Sequence, residues 1–225
     1  MKEAMDMKKK LGTIFACVLI LVGTGVMLVP TFFKQQNNQV QQDLTSEYEK
    51  IISENKNKEQ PPTAEPQQEG YTYEEADFLE ENSNDETKAI IARQKILGLI
   101  TCEKLNFKFV VVEGATRDNI RATIGHITGT AGMGGKGNCV LAGHRGGYYG
   151  EFFERIDQLE KGDKVVLTDL YNRSYTYKVY KQFVAEPTET WICNPIENEN
   201  TLTLLSCEEN GTKRIIVRCR LEESS

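Results

Sequence analysis

Only two histidines and one tryptophan occur in this chain, and none of its six cysteines belongs to a C-x-x-C pair. Scarce imidazoles and the scattered positions of Cys17, Cys102, Cys139, Cys193, Cys207 and Cys219 argue against a structural zinc site, which needs four clustered ligands. A basic excess is missing too. With 27 Lys+Arg against 33 Asp+Glu, the formal net charge is -6. A general nucleic-acid binder needs a basic footprint, so no nucleic-acid partner is expected. No internal repeat is visible.

One long hydrophobic run is present. Lys8 to Lys10 precede an uncharged stretch from Leu11 to Pro30. Twenty residues at about 1.5 Å each span roughly 30 Å, the thickness of a bilayer core. Basic residues before the run orient the N-terminus toward the cytoplasm. A cleaved signal peptide would want a shorter apolar region and a small-x-small site, which "MLVPTFF" lacks. Residues 1–34 therefore read as a cytoplasmic tail and a single-pass signal-anchor in the cell membrane, with the rest extracytoplasmic. Residues 35–88 are polar and acidic, and read as a largely disordered linker because low apolar content cannot offset the entropy of ordering. Within them Val40, Leu44, Tyr48, Ile51 and Ile52 recur at helical spacing, which offers a short membrane-proximal helix as the other reading.

From residue 89 to 225 the texture changes to short apolar runs between glycines and charged turns. "ILGLITC", "FKFVVVE", "NCVLAG", "KVVLTDL", "SYTYKVYKQFVA", "TLTLLSC" and "RIIVRCRL" read as strands, and "RDNIRA" and "GEFFERIDQL" as short helical turns. The second of these turns puts Phe152, Phe153, Ile156 and Leu159 on one face. So many short, closely spaced strands predict a mainly β fold, a closed or nearly closed barrel. Cys102, Cys139 and Cys219 fall within strands as small buried hydrophobes. Disulfides stay open outside the cytosol.

The chemistry concentrates near the C-terminus, in "LSCEENGTKR". Asn210-Gly211 is a strong type I′ hairpin signal. With these two residues at the tip, Cys207 lies opposite Arg214, and opposed residues share one face. Ile215, Val217, Cys219 and Leu221 alternate with Arg214, Ile216, Arg218 and Arg220, so Cys207 and Arg214 belong to the open face. A nucleophilic cysteine needs a cation or base nearby, because the thiolate is the reactive form. Arg214 supplies fixed charge, and a histidine would move protons. His144, between an apolar strand and a glycine-rich loop, is favoured over His126, which sits in an expected turn.

Together "NCVLAGHR", "TLTLLSC" and "KRIIVRCRL" resemble the sortases, membrane-anchored cysteine transpeptidases of Gram-positive bacteria. "IGHITGT", "FFERIDQLEKGDKV" and "EPTETWICNP" fit the same order of segments, and the turn and loop regions are most similar to class D. The resemblance implies an eight-stranded β-barrel with short helices, and the catalytic set Cys207 (nucleophile), His144 (general acid/base) and Arg214 (substrate or oxyanion stabiliser). It further implies cleavage of an LPxTG-like sorting signal between Thr and Gly through a thioester acyl-enzyme. The acyl group would then pass to a cell-wall precursor amine or, alternatively, a pilin lysine. Partners would be surface proteins with C-terminal sorting signals, and no cofactor is required. Some relatives bind calcium, but no convincing ligand cluster is present here.

One residue departs from the family pattern T-L-x-T-C: Ser206 stands where threonine is usual, which suggests altered substrate contact. Trp191, Ile192, Leu205 and Ser206 are the expected substrate contacts. Trp191 and Ile192 serve equally well as barrel closure, and Tyr148 and Tyr149 as groove lining or plain surface loop. Two rivals remain at this stage: another extracytoplasmic cysteine peptidase, and a non-catalytic β-domain in which Cys207 merely packs.

Overall fold

The computed structural model describes residues 19–20, 23, 35, 38–56, 95–146, 152–196, 198–207 and 212–224. Eight strands close a barrel: β1 (Ile96–Cys102), β2 (Phe107–Glu113), β3 (Ile124–His126), β4 (Gly137–Gly143), β5 (Lys164–Asp169), β6 (Ser174–Ala185), β7 (Asn200–Cys207) and β8 (Arg214–Ser224). Around the barrel the order is β1-β2-β3-β4-β7-β8-β6-β5, and β5 pairs back onto β1. The seven strands read from the sequence all form. The eighth, β3, is the one that local pattern missed, because three residues around a glycine look like a turn.

Two pairings are parallel, β2 with β3 and β4 with β7; the others are antiparallel. A parallel neighbour needs a crossover connection, and between β2 and β3 a short helix (Arg117–Ala122) supplies it. Thr116 caps this helix by accepting from the Asn119 amide, and buried Asn119 ties it down through Nδ2 to the Glu113 and Gly114 carbonyls (3.1 and 2.9 Å).

Inside the barrel, Leu202 and Leu204 of β7 meet Ile215, Val217 and Cys219 of β8, with Phe152, Phe153, Ile156 and Leu159 sealing one side. The alternation expected for β8 therefore holds. Of the helical turn expected at 150–159, the described residues 152–159 form a bend followed by a single 3₁₀ turn (Ile156–Gln158), yet its apolar face is buried as anticipated. Cys102, Cys139, Cys193 and Cys219 are buried free thiols. Gly143 ends β4 where a Cβ would come within 2.7 Å of the Phe153 ring, so only glycine lets the strand press that close.

Of the stretch expected to be a largely disordered linker, residues 38–55 are helical, and we call this helix α1 and the crossover helix α2. Leu44 and Tyr48 are buried against Ile96, Leu99, Val110 and Val112, with Val40, Ile51 and Ile52 alongside. Gln41 Nε2 donates to the Ala122 carbonyl (2.5 Å) and Asn55 Nδ2 to that of Leu170 (3.2 Å). The average polar composition over 54 positions outweighed the apolar stripe at a 3.6 period that offered the helical reading, and the barrel's outer wall supplies what that stripe covers. The predicted membrane segment lies outside the described residues except for 19, 20 and 23. Among the described residues no helix is long and apolar enough to cross a membrane.

Leu44→Asp should undock α1 without unfolding the barrel. Even Leu→Ala at a buried site costs about 2–5 kcal/mol. Hydrogen exchange should show residues 41–55 losing protection while β1 and β2 keep theirs; parallel loss in the strands would make α1 part of the barrel's cooperative unit.

Candidate active site

The barrel's pairing registers set Cys207 against Arg214 and run the strand that leads into His144 alongside β7. In the parallel β4–β7 ladder Ala142 pairs with Leu205. Two residues further along each chain come His144, in the residue after β4 ends, and Cys207, the last residue of β7. Across the antiparallel β7–β8 ladder Cys207 pairs with Arg214, the partner anticipated from turn arithmetic. The tip residues 208–211 lie outside the described residues, as do Tyr148 and Tyr149. His144, Cys207 and Arg214 are all half-buried, and Cys207 and Arg214 lie on the outer face of the wall whose inner face holds Leu202 and Leu204.

The outer face of this wall is not open throughout. The β6–β7 connection folds back over it through a 3₁₀ turn (Thr190–Cys193). Ile192 packs on Ala185 and Ile216, and Cys193 on Val140 and Ala142, with Leu205 shared between both groups. Asn138, 1% exposed, fastens the connection from below. Its Nδ2 donates to the Ile192 and Asn194 carbonyls (2.8 and 3.3 Å), while Thr203 Oγ1 donates to its Oδ1 at 2.7 Å. Between connection and wall lies a slot of about 50 Å³, whose lining mixes the apolar Ile127, Pro187, Ile192, Cys193 and Leu205 with the polar Glu186, Glu189, Thr190 and Arg214. A more open groove of about 750 Å³ runs between α1 and the barrel and contains none of the three expected catalytic residues.

The four expected substrate contacts separate. Ile192 and Leu205 face the slot, and Ile192 closes the barrel wall at the same time. Trp191 does not reach it. Its ring stacks on Phe183 (5.7 Å, 6°) beneath the Arg218 guanidinium, and its Nε1 donates to Glu189 Oε1 at 2.9 Å. Ser206 points the other way. At 1% exposure it donates from Oγ to the Gly143 carbonyl (3.1 Å), stitching β7 to β4 one residue before Cys207. The threonine-to-serine departure thus falls on strand pairing in the interior, not on substrate contact, because strand parity turns position 206 inward when 205 and 207 face out.

The two histidines live in opposite electrostatic settings. His126 is 6% exposed, and both its ring nitrogens face acceptors: Nδ1 the Glu113 carboxylate at 3.2 Å, Nε2 the Ala131 carbonyl at 3.0 Å. The Thr130 hydroxyl, 2.9 Å from Nε2, gives its own proton to the Ile127 carbonyl (2.7 Å) and so is a third acceptor; a neutral ring has one N–H, and this geometry favours the imidazolium. Burial alone would lower its pKa, but the Cys139 and Glu113 side chains outweigh that and push it up to about 10. A ring that keeps its proton and is enclosed by the fold is no base for Cys207. His144 is shifted downward, first by burial and then by the charges of Arg121 and Arg117. It is neutral at rest and able to accept a proton. Neither the Glu113–His126 pair nor the two arginines of α2 carry a local sequence motif; each depends on contacts between separate elements. Among the described residues no cluster of His, Cys, Asp or Glu is suited to a metal ion.

A sortase-domain family model matches residues 100–222. The chain is similar to sortase A of Bacillus anthracis, 25% identical over 224 residues that cover 93% of this chain and 94% of that protein. With sortase D of Bacillus subtilis it shares 29% identity over 125 residues, 53% of this chain and 61% of the relative. Among solved structures, a sortase D5 transpeptidase of Clostridium perfringens is 34% identical, covering 63% of this chain and 90% of its own, with a TM-score of 0.53. Sortase E of Streptomyces avermitilis gives 30% identity, coverage of 58% and 90%, and a TM-score of 0.53.

The His126 assignment has a pH signature. Its folded pKa lies above the unfolded value near 6.5, so its contribution is full below pH 6.5 and fades as pH rises toward 10. His126→Asn should cost about 3 kcal/mol at pH 7, the low end for breaking a buried pair because Glu113 is 31% exposed. Urea melts at pH 6, 8 and 10 should show the wild type weakening and the variant following a flatter course; parallel curves would show that His126 is uncharged in the fold.

Proposed function

This chain belongs to the sortase family and is a transpeptidase, and from that premise we propose that it is anchored in the cell membrane through Leu11–Pro30 and cuts a C-terminal LPxTG-like sorting signal between Thr and Gly. The observation that carries this reading is the opposition of Cys207 and Arg214 across β7 and β8, with His144 in the residue after β4, the strand paired with β7 on the other side. Cys207 attacks the threonine carbonyl as its thiol proton passes to His144. The glycine amine leaves with that proton, and a thioester remains on Cys207. An acceptor amine then attacks the thioester, returning Cys207 as a thiol through His144.

Arg214 serves the charged stage of both steps. It stands opposite the nucleophile and at the mouth of the slot, where a developing oxyanion or a substrate carbonyl would meet its guanidinium. A fixed donor of that kind is typically worth about 2.7–4 kcal/mol. The slot, walled by Ile127, Ile192 and Leu205, suits the leucine and proline of a sorting signal. A class D assignment is supported by the 34% identity with the sortase D5 transpeptidase.

The test uses the full chain in detergent micelles with a sorting-signal peptide and an amine acceptor. Wild type should give a ligated product, and Cys207→Ala none. His144→Ala should reduce transfer by about 10²–10⁴-fold. Arg214→Lys should lose most of it, since a point charge does not replace a planar fork. Hydrolysis without transfer would indicate a peptidase. Full activity of Cys207→Ala would remove the reading, and activity in His144→Ala with loss in His126→Asn would reverse the choice of base.

A further inference from the structure

β4 ends at Gly143, and its last pairs are Ala142 with Leu205 of β7 and Gly143 with Ile124 of β3. His144 is one residue beyond both ladders, so strand pairing no longer restrains it. Two backbone bonds take over. Its amide donates to the Ile120 carbonyl of α2 (3.2 Å), and its carbonyl accepts from the Phe153 amide (3.3 Å). These fix the path of the backbone but leave χ1 and χ2 of the imidazole unspecified. A base that serves a thiol needs its ring held as well, because a misplacement of about 1 Å can cost about 10²-fold in rate.

The next two residues supply that hold. Arg145 Nη2 meets Asp157 Oδ2 at 3.2 Å, the two side chains being 17% and 39% exposed. Arg145 Nη1 is buried with no hydrogen-bond partner among the described residues, so Asp157 is the group that compensates an enclosed charge. Asp157 belongs to the 3₁₀ turn whose Ile156 is fully buried in the core, and its carbonyl accepts from Gln182 Nε2 of β6 at 3.0 Å. The carboxylate is thus carried by a braced element. Past Arg145 the chain turns back over the imidazole at Gly146. That residue has a φ of +155°, and a Cβ on it would stand 3.0 Å from His144 Nε2, so bare glycine backbone lies against the ring.

We propose that Arg145 and Asp157 are positioning residues for the acid/base step, their ion pair holding the loop so that Gly146 packs against the His144 ring and fixes it for proton transfer. The inference rests on the acid/base reading of His144 given above. Neither Arg145 nor Asp157 is assigned a proton or a substrate contact. Arg145 works through the backbone it anchors. With the pair intact the imidazole has one resting place; without it, the loop is held by the two bonds at His144 alone. The ring would then move outward, away from the surroundings that keep it neutral, which are first burial and then the charges of Arg121 and Arg117.

The experiment combines transfer kinetics with histidine titration by NMR, on the full chain in detergent micelles. With only two histidines in the sequence, His126 is a built-in control for the fold. Arg145→Gln and Asp157→Asn should each lower kcat about tenfold, with KM for the sorting-signal peptide unchanged because the slot is built from other segments. In both variants the His144 pKa should rise toward the ordinary value near 6.5, while the His126 signal stays as in wild type. Exchanging the charges, Arg145→Asp with Asp157→Arg, should restore most of the lost rate. Gly146→Ala should lower kcat in the same way, acting from the ring side of the contact. Should Arg145→Gln not fold, Asp157→Asn, which keeps the side chain's shape, carries the test. Wild-type kcat in the single variants, an unmoved His144 titration, or a charge exchange no better than either single variant overturns this inference and leaves the acid/base reading standing. Full transfer by His144→Ala removes that reading and this inference with it.

Discussion

Everything at this site depends on two strand registers that share one strand. β7 is paired in parallel with β4 and antiparallel with β8, and each pairing is fixed independently. A one-residue slip in either would turn a whole row of side chains to the opposite face of the wall. The inward row, with Leu202, Leu204, Val217 and Cys219 buried, prevents such a slip. Ser206 adds a polar stitch to Gly143 just where the hydrophobic row ends. The opposition of a thiol and a guanidinium, beside the strand that leads into His144, is therefore a consequence of how the barrel's interior packs. Their own mutual attraction is not needed to hold them there.

Charge is distributed around this alignment with the same economy. His126 is enclosed and clamped between acceptors, a cation that braces the loop after β3. His144 is half-buried beside cations and stays neutral. The same side chain performs opposite tasks because one environment stabilises the charged form and the other disfavours it. The β6–β7 connection shows a related division. Ile192 covers apolar wall, Trp191 is parked on Phe183, and Asn138 fixes the backbone between them. Wall and slot are made by one segment, so the alternatives of barrel closure and substrate contact are not exclusive at Ile192.

Helix α1 extends this bracing beyond the barrel. Its apolar stripe rests on β1 and β2, and Gln41 ties it to α2, the element bonded to the backbone of His144. Composition had favoured a solvated spacer for this stretch, since the residues between the apolar positions are uniformly polar. A single helical face is enough when a prepared surface is waiting for it.

By itself the sequence determined the periodic and local features. Seven strands, the inward and outward rows of β8, the opposition of Cys207 and Arg214 and the burial of Cys102, Cys139 and Cys219 all follow from alternation and one turn dipeptide. Tertiary structure decided whatever joins elements distant along the chain. The parallel β4–β7 pairing, which runs the strand leading into His144 alongside the strand that ends in Cys207, spans more than 60 residues, and no local pattern encodes it. Nor does any local pattern mark the pairing of His126 with Glu113, the charge of α2 acting on His144 or the docking of α1. Local preference depends on near neighbours and their spacing, whereas proton affinity and burial depend on what the completed barrel brings into contact.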